Sequence, residues 1–162
     1  MATYTTYTIN QGNHEINGSR FGLSGTNIKF AFKLLPSCVY DATQVVPGWN
    51  KLWGFTSTDI HGNSARIGWR IKEGTSKFLL CSYCYVNSVR IDTPFAGIEI
   101  DPNQEVLGEI KWLNNNYVIG VNGIFLYTPQ PRKPSFLTFQ CYPYFGGESV
   151  APHTMQIQIK KL

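Results

Sequence analysis

The chain has 162 residues, 43% of them hydrophobic and 15% charged, which excludes both a disordered segment and a long solvent-facing helix and suits one domain over residues 1–162. Its 14 Lys and Arg stand against 10 Asp and Glu for a net charge of +4, and the cations are scattered, so nucleic acid is not an expected partner. No run approaches the roughly 20 apolar residues of a membrane span, so no membrane insertion is expected.

In chain order the pattern is strand after strand. Asn27 to Leu35, NIKFAFKLL, sets Ile28, Phe30, Phe32 and Leu34 against Lys29, Ala31 and Lys33, the period of a half-buried strand. Leu52 to Thr56 follows the loop Pro47-Gly48-Trp49-Asn50-Lys51, which places Trp49 and Trp53 at a rim. Ala65 to Lys72 alternates Ala65, Ile67, Trp69 and Ile71 with Arg66, Gly68, Arg70 and Lys72; Trp69 is expected in the core and the two arginines outside. A turn at Glu73-Gly74-Thr75-Ser76 returns the chain as Lys77 to Val86, KFLLCSYCYV, apolar on both faces and so central in its sheet. Further strands are predicted at Ser88 to Ile91, Gly97 to Ile100, Glu105 to Leu113, Tyr117 to Val121, Ile124 to Tyr127, Ser135 to Tyr144 and His153 to Lys160. Asn122-Gly123 signals a two-residue hairpin, since both residues tolerate positive φ, and Asn114-Asn115-Asn116 a longer turn.

No segment shows a helical period, and nine Pro and fifteen Gly punctuate the chain at the spacing of an all-β protein. The predicted fold is a two-sheet antiparallel β-sandwich. Cys38, Cys81, Cys84 and Cys141 are expected as reduced, partly buried thiols, because Cys81 and Cys84, three apart in a strand, point to opposite faces. Neither a metal nor a cofactor is expected: Cys81-x-x-Cys84 has no second pair, and Asp59 and Asp101 are isolated. The basic pairs Arg132-Lys133 and Lys160-Lys161 read as solvated edges.

The segment Glu109 to Gly123, EIKWLNNNYVIGVNG, resembles a hairpin of the concanavalin A-like and laminin G-like jelly rolls, and Tyr144 to Ile159, YFGGESVAPHTMQIQI, resembles their closing loop and strand. His61 to Arg70, HGNSARIGWR, resembles a stretch of uncharacterised Bacteroidetes and gut-phage proteins of that fold. The resemblance implies a jelly roll of two curved sheets, with carbohydrate as the commonest ligand class. It also implies a test for hydrolysis. Glycoside hydrolases of the superfamily carry Glu-x-Asp-x-x-Glu on one strand, with the two reacting carboxyls about 5–5.5 Å apart. Here the run is Glu99-Ile100-Asp101-Pro102-Asn103-Gln104-Glu105, in which Gln104 stands at the third position and Asp-Pro-Asn should turn Glu105 away from Glu99.

A binding face is the expectation that remains. Arg66 and Arg70 face outward, and Tyr83 and Tyr85 lie on the same side of the next strand if the two pair in register. Aromatic faces beside planar polar groups suit a sugar, which combines C–H patches with hydroxyls. Trp49 and Trp53 are added as rim aromatics, and His61 and His153, each before a strand, as loop groups sharing one end of the sandwich. The expected function is non-catalytic glycan binding by a module displayed on a phage virion or cell surface, with a glycan or polysaccharide as partner and homo-oligomerisation left open. The alternatives are a structural virion decoration or fibre protein and, ranked below it, a polysaccharide lyase built on Arg66, Arg70, His61, His153 and Tyr83 or a hydrolase. The opening MATYTTYTINQG lacks the regions of a secretory signal, so with Met1 native a virion or host cytoplasm is expected, with an extracellular surface as the alternative if a signal has been removed.

Overall fold

A computed structural model describes residues 2–17, 22–57, 59–128 and 137–162. Eleven strands are defined among them. They are β1 (Thr5–Ile9), β2 (Asn27–Leu34), β3 (Asn50–Thr56), β4 (Ser64–Ile71), β5 (Phe78–Val86) and β6 (Val89–Ile100), then β7 (Val106–Leu113), β8 (Asn116–Val121), β9 (Ile124–Tyr127), β10 (Phe139–Cys141) and β11 (Met155–Lys161). The only helical elements among the described residues are two short 3-10 turns, Pro36–Cys38 and Ala42–Gln44. One sheet runs β1-β11-β2-β7-β8-β9 and the other β10-β3-β4-β5-β6, with every pairing antiparallel. The fold is a two-sheet antiparallel jelly-roll sandwich, and strand alternation is its cause. Phe30, Phe32 and Leu34 of β2 meet Ala65, Ile67 and Trp69 of β4 in one core. Burying each such large apolar side chain contributes about 1.5–3 kcal/mol.

The turns follow local chemistry more tightly than the sequence pattern alone suggested. Asn122 and Gly123 both have positive φ, 47° and 83°, as a two-residue hairpin requires. Asn114 and Asn115 do the same at 50° and 64°, so the expected longer turn is a second two-residue hairpin, with Leu113 opposite Asn116. Asn87-Ser88 makes a third, so Ser88 belongs to a turn and not to the following strand. The two strands expected over 88–100 are one, β6, which tolerates Pro94 because it lies at a sheet edge and needs no donor on its open side. β1 escaped the sequence reading because Thr-rich TTYTI alternates only weakly. The strand expected over 135–144 is confined to Phe139–Cys141 among the described residues; Ser135, Pro134, Arg132 and Lys133 lie outside them.

One irregularity positions the site. Lys51 pairs with Gly68 and Gly54 with Arg66, so Leu52 and Trp53 together oppose the single residue Ile67. This is a β-bulge, and it sends two consecutive side chains inward. Leu52 is fully buried and Trp53 is 1% exposed. Trp53 packs on Tyr7, Phe30 and Tyr142 with ring centroids 5.4, 6.5 and 5.2 Å away. The expectation that Trp53 is a rim residue is therefore corrected: it is core.

Candidate functional site

The outward face of the five-stranded sheet is a grid fixed by register. Gly54, Arg66, Tyr83 and Asp92 form one row across β3, β4, β5 and β6. Lys51, Gly68, Cys81 and Pro94 form the row beside it, and Thr56, Ser64, Tyr85 and Arg90 the row on the other side. The glycines are required by packing. A Cβ on Gly54 would meet the Ala65 carbonyl and lie 2.8 Å from Arg66 Cγ, and one on Gly68 would lie 2.5 Å from Cys81 Sγ. Arg66 can therefore lie flat over the sheet, where its guanidinium sits 5.2 Å from the centre of the Tyr83 ring.

Loops raise walls around this grid. Lys51 and Tyr144 exchange backbone hydrogen bonds of 2.8 and 2.9 Å, which extends the sheet beyond β10. Gly146 is then clamped from both sides: its N–H donates to Asn50 Oδ1 at 2.6 Å and its carbonyl accepts from Lys51 Nζ at 2.5 Å. Its φ of 63° favours glycine. The Val46 N–H donates to Ser149 Oγ at 2.7 Å, tying the Trp49 loop to the same wall. His14 stacks on Tyr144 at 5.2 Å and supports it from behind. On the far side His61 packs edge-on against Tyr85, 5.2 Å between centroids, and Tyr85 against Tyr83 at 6.0 Å.

The result is a cleft of about 630 Å³ with Lys51, Arg66 and Tyr83 at its floor. Trp49, Tyr85, His61 and Tyr144 form its aromatic walls, and Glu15, Glu148, Arg90 and Asp92 its charged margin. Arg90 Nε pairs with Asp92 at 3.2 Å. Burial pushes Lys51 down to about 8, assisted by the positive charges of Arg66 and Arg90. Tyr83 is pushed up to about 12, first by burial and then by its hydrogen bond with Tyr85. Tyr144 is raised by burial and by the Glu15 charge.

The sequence-predicted residues divide accordingly. Arg66, Tyr83, Tyr85, Trp49 and His61 meet in the cleft. Tyr83, however, is only 5% exposed, and its ring is covered by Arg66 and Lys51, so it holds cations in place and offers no open stacking face. Arg70 is outward-facing as expected, but Trp49 covers it with 4.5 Å between guanidinium carbon and ring centre, and it lines a neighbouring depression with Leu79 and Glu73. His153 does not join His61. It hydrogen-bonds the Ser37 carbonyl through Nε2 at 2.9 Å and is not among the residues that line the cleft with His61. Lys51, Tyr144, Arg90 and Asp92 were missed. A lysine within the apolar run NKLWGF was the one available signal for Lys51, and reading its direction required the bulge.

The Glu99-to-Glu105 run is dispersed, as the Asp-Pro-Asn turn predicted. Glu99 pairs with Lys72 at 2.5 Å, Asp101 with Lys77 at 3.8 Å, and Glu105 with Lys160 at 3.7 Å and the Tyr4 hydroxyl. All four cysteines are free and buried, Cys84 in the core and Cys81 under the outer face. Burial raises every thiol, Cys38 and Cys84 to about 12 and Cys141 to about 11.

No protein-family model and no curated protein matches the sequence. Solved structures do. A glycosidic hydrolase is 14% identical with a TM-score of 0.52, the match covering 98% of this chain and 77% of that one. A functionally unknown protein from Saccharomyces cerevisiae is 9% identical with a TM-score of 0.51, covering 98% and 92%. A prokaryotic β-1,3-1,4-glucanase (lichenase) derived from a mouse hindgut metagenome is 14% identical with a TM-score of 0.48, covering 98% and 79%. At such identities the likeness is one of fold, the concanavalin A-like jelly roll.

Proposed function

We propose that this chain is a non-catalytic carbohydrate-binding module whose ligand lies in the cleft on the five-stranded sheet, on a phage virion or cell surface. The observation that carries the proposal is the wall chemistry: Trp49, Tyr85 and Tyr144 present partly exposed ring surface around a polar floor within one 630 Å³ cleft. A pyranose offers apolar C–H faces to such rings and hydroxyls to the groups between them. The glycosidic hydrolase of the same fold supports a carbohydrate ligand by analogy. Separate ion pairs at Glu99, Asp101 and Glu105 support binding over hydrolysis, because retaining chemistry needs two carboxyls facing one bond.

A glycan array with wild type, Trp49→Ala and Tyr85→Ala tests the reading. Binding of a saccharide, weakened by about tenfold or more in each variant, is the expected result. No binding, together with a stable higher oligomer in solution, would favour a structural virion role instead. Polysaccharide cleavage by the pure protein would overturn the non-catalytic part.

A further inference from the structure

Two cations at the floor of the cleft are paired with no carboxylate among the described residues. Arg66 is 4% exposed, and its Nε has no hydrogen-bond partner among the described residues. Lys51 is 7% exposed; it donates to the Gly146 carbonyl and otherwise lies against the rings of Tyr83 and Tyr144, 5.1 and 5.3 Å from their centres. An ammonium carries three donors, so Lys51 has capacity left over. Among the described residues neither cation forms an ion pair: Asp92 is taken by Arg90, and Glu15 and Glu148 stand exposed at the margin. Burying a charge without a counter-charge is costly, and the fold sustains it here beside an open cavity walled by aromatic rings.

We propose that the ligand of this cleft is an acidic saccharide, with a carboxylate or sulfate held between Lys51 and Arg66 and its sugar ring against Trp49 and Tyr85. The inference rests on the glycan-binding reading above and narrows it. A guanidinium and an ammonium together offer the charge-assisted donors an oxyanion accepts best, and their burial strengthens them. The aromatic walls favour a sugar over an acidic peptide.

A consequence concerns protons. Arg66 from β4, Tyr83 and Cys81 from β5, Arg90 from β6 and Tyr144 from its loop all face Lys51. Asp92, Glu15 and Glu148 line the same cavity. Burial, assisted by the neighbouring cations, leaves Lys51 largely neutral above about pH 8, and an arriving anion opposes that. Binding at pH 8.5 should therefore draw a proton from the buffer.

Titration calorimetry on the full chain tests this, with oligogalacturonate, its carboxyl-reduced neutral counterpart, a sulfated oligosaccharide of matched length and poly-glutamate. The expected result is an acidic sugar bound at least about tenfold tighter than the neutral one. Proton uptake at pH 8.5 should accompany it, read from buffers of different ionisation enthalpy. The acidic-to-neutral ratio should collapse in Arg66→Met, and whichever acidic ligand wins identifies carboxylate or sulfate as the group held. Should Arg66→Met not fold, proton uptake in wild type and the ratio in Arg66→Lys carry the test. Equal affinity for acidic and neutral sugars overturns this inference and leaves the glycan reading standing. Acidic preference without proton uptake, and unchanged in the Arg66 variants, removes it from this floor. Binding of poly-glutamate with no saccharide bound overturns both proposals.

Discussion

The two outward faces of the sandwich handle charge in opposite ways. On the six-stranded sheet, Glu109 of β7 receives Lys29 at 3.3 Å and Lys111 at 2.6 Å, and Lys160 reaches Glu105 at 3.7 Å; carboxylates are set beside lysines at the solvent boundary. On the five-stranded sheet, Lys51 and Arg66 are sunk beneath loops and lie on aromatic rings, with no carboxylate paired to either among the described residues. The first arrangement is what stability alone produces, modest exposed pairs each worth about 0.2–1 kcal/mol. The second costs stability, and a cost borne at a walled cleft points to a ligand.

The sharpest difference is expected from adding one methyl group to each face. Gly54→Ala drives a Cβ into the Ala65 backbone and the Arg66 stem, neither of which can retreat, so a loss of about 1–3 kcal/mol is expected in denaturant unfolding. Gly120→Ala on the other face has its nearest contacts with the ring of Phe125, which is 37% exposed and can swing outward, and should cost under about 1 kcal/mol. Equal losses would mean that the five-stranded face is not the tightly fitted floor described.

A smaller effect separates the faces by pH. Burial raises the Glu109 carboxyl, but hydrogen bonds from Lys111 and Lys29 more than offset this and leave it below its ordinary 4.5. A carboxyl lowered by folding stabilises above its unfolded value and stops doing so as pH falls through the folded one. The advantage of wild type over Glu109→Gln should thus be present above about pH 4.5 and vanish in stronger acid. Lys51 behaves inversely. Its folded value is about 8 against an ordinary 10.5, so between these the unfolded chain binds more protons and stability contributed by this group rises with pH. The cysteines of the unfolded chain lose protons over the same range while burial keeps the folded thiols protonated, so the difference between wild type and Lys51→Met is the quantity to follow; it should shift in favour of wild type from pH 8 to 10.5. A flat difference would show Lys51 to be solvated.

Much of the fold was legible because strand alternation is a local property: Phe30, Phe32 and Leu34, or Ile67 and Trp69, sit where their spacing put them. That Arg66 and Tyr83 are neighbours was expected on condition of register between β4 and β5, and the observed register pairs them directly. What escaped was non-local. Trp53 goes inward because an extra residue in β3 breaks the period, and no residue type in NKLWGF marks a bulge. Tyr144 reaches the cleft from more than ninety positions beyond Lys51, and only their backbone bridge reveals it. His61 and His153 both precede strands in the sequence yet lie in different places, one against Tyr85 in the cleft and the other on the Ser37 carbonyl, because placement before a strand does not say which end of the sandwich that strand starts from.

The most direct test is an amide and indole NMR titration of the full chain with the saccharide that scores highest on the glycan array. The account predicts shifts centred on the Trp49 indole N–H and the amides of Gly68 and Gly146, with Lys29, Glu109 and Lys111 unmoved. Shifts centred on the six-stranded face, or no saccharide bound at all, would contradict it.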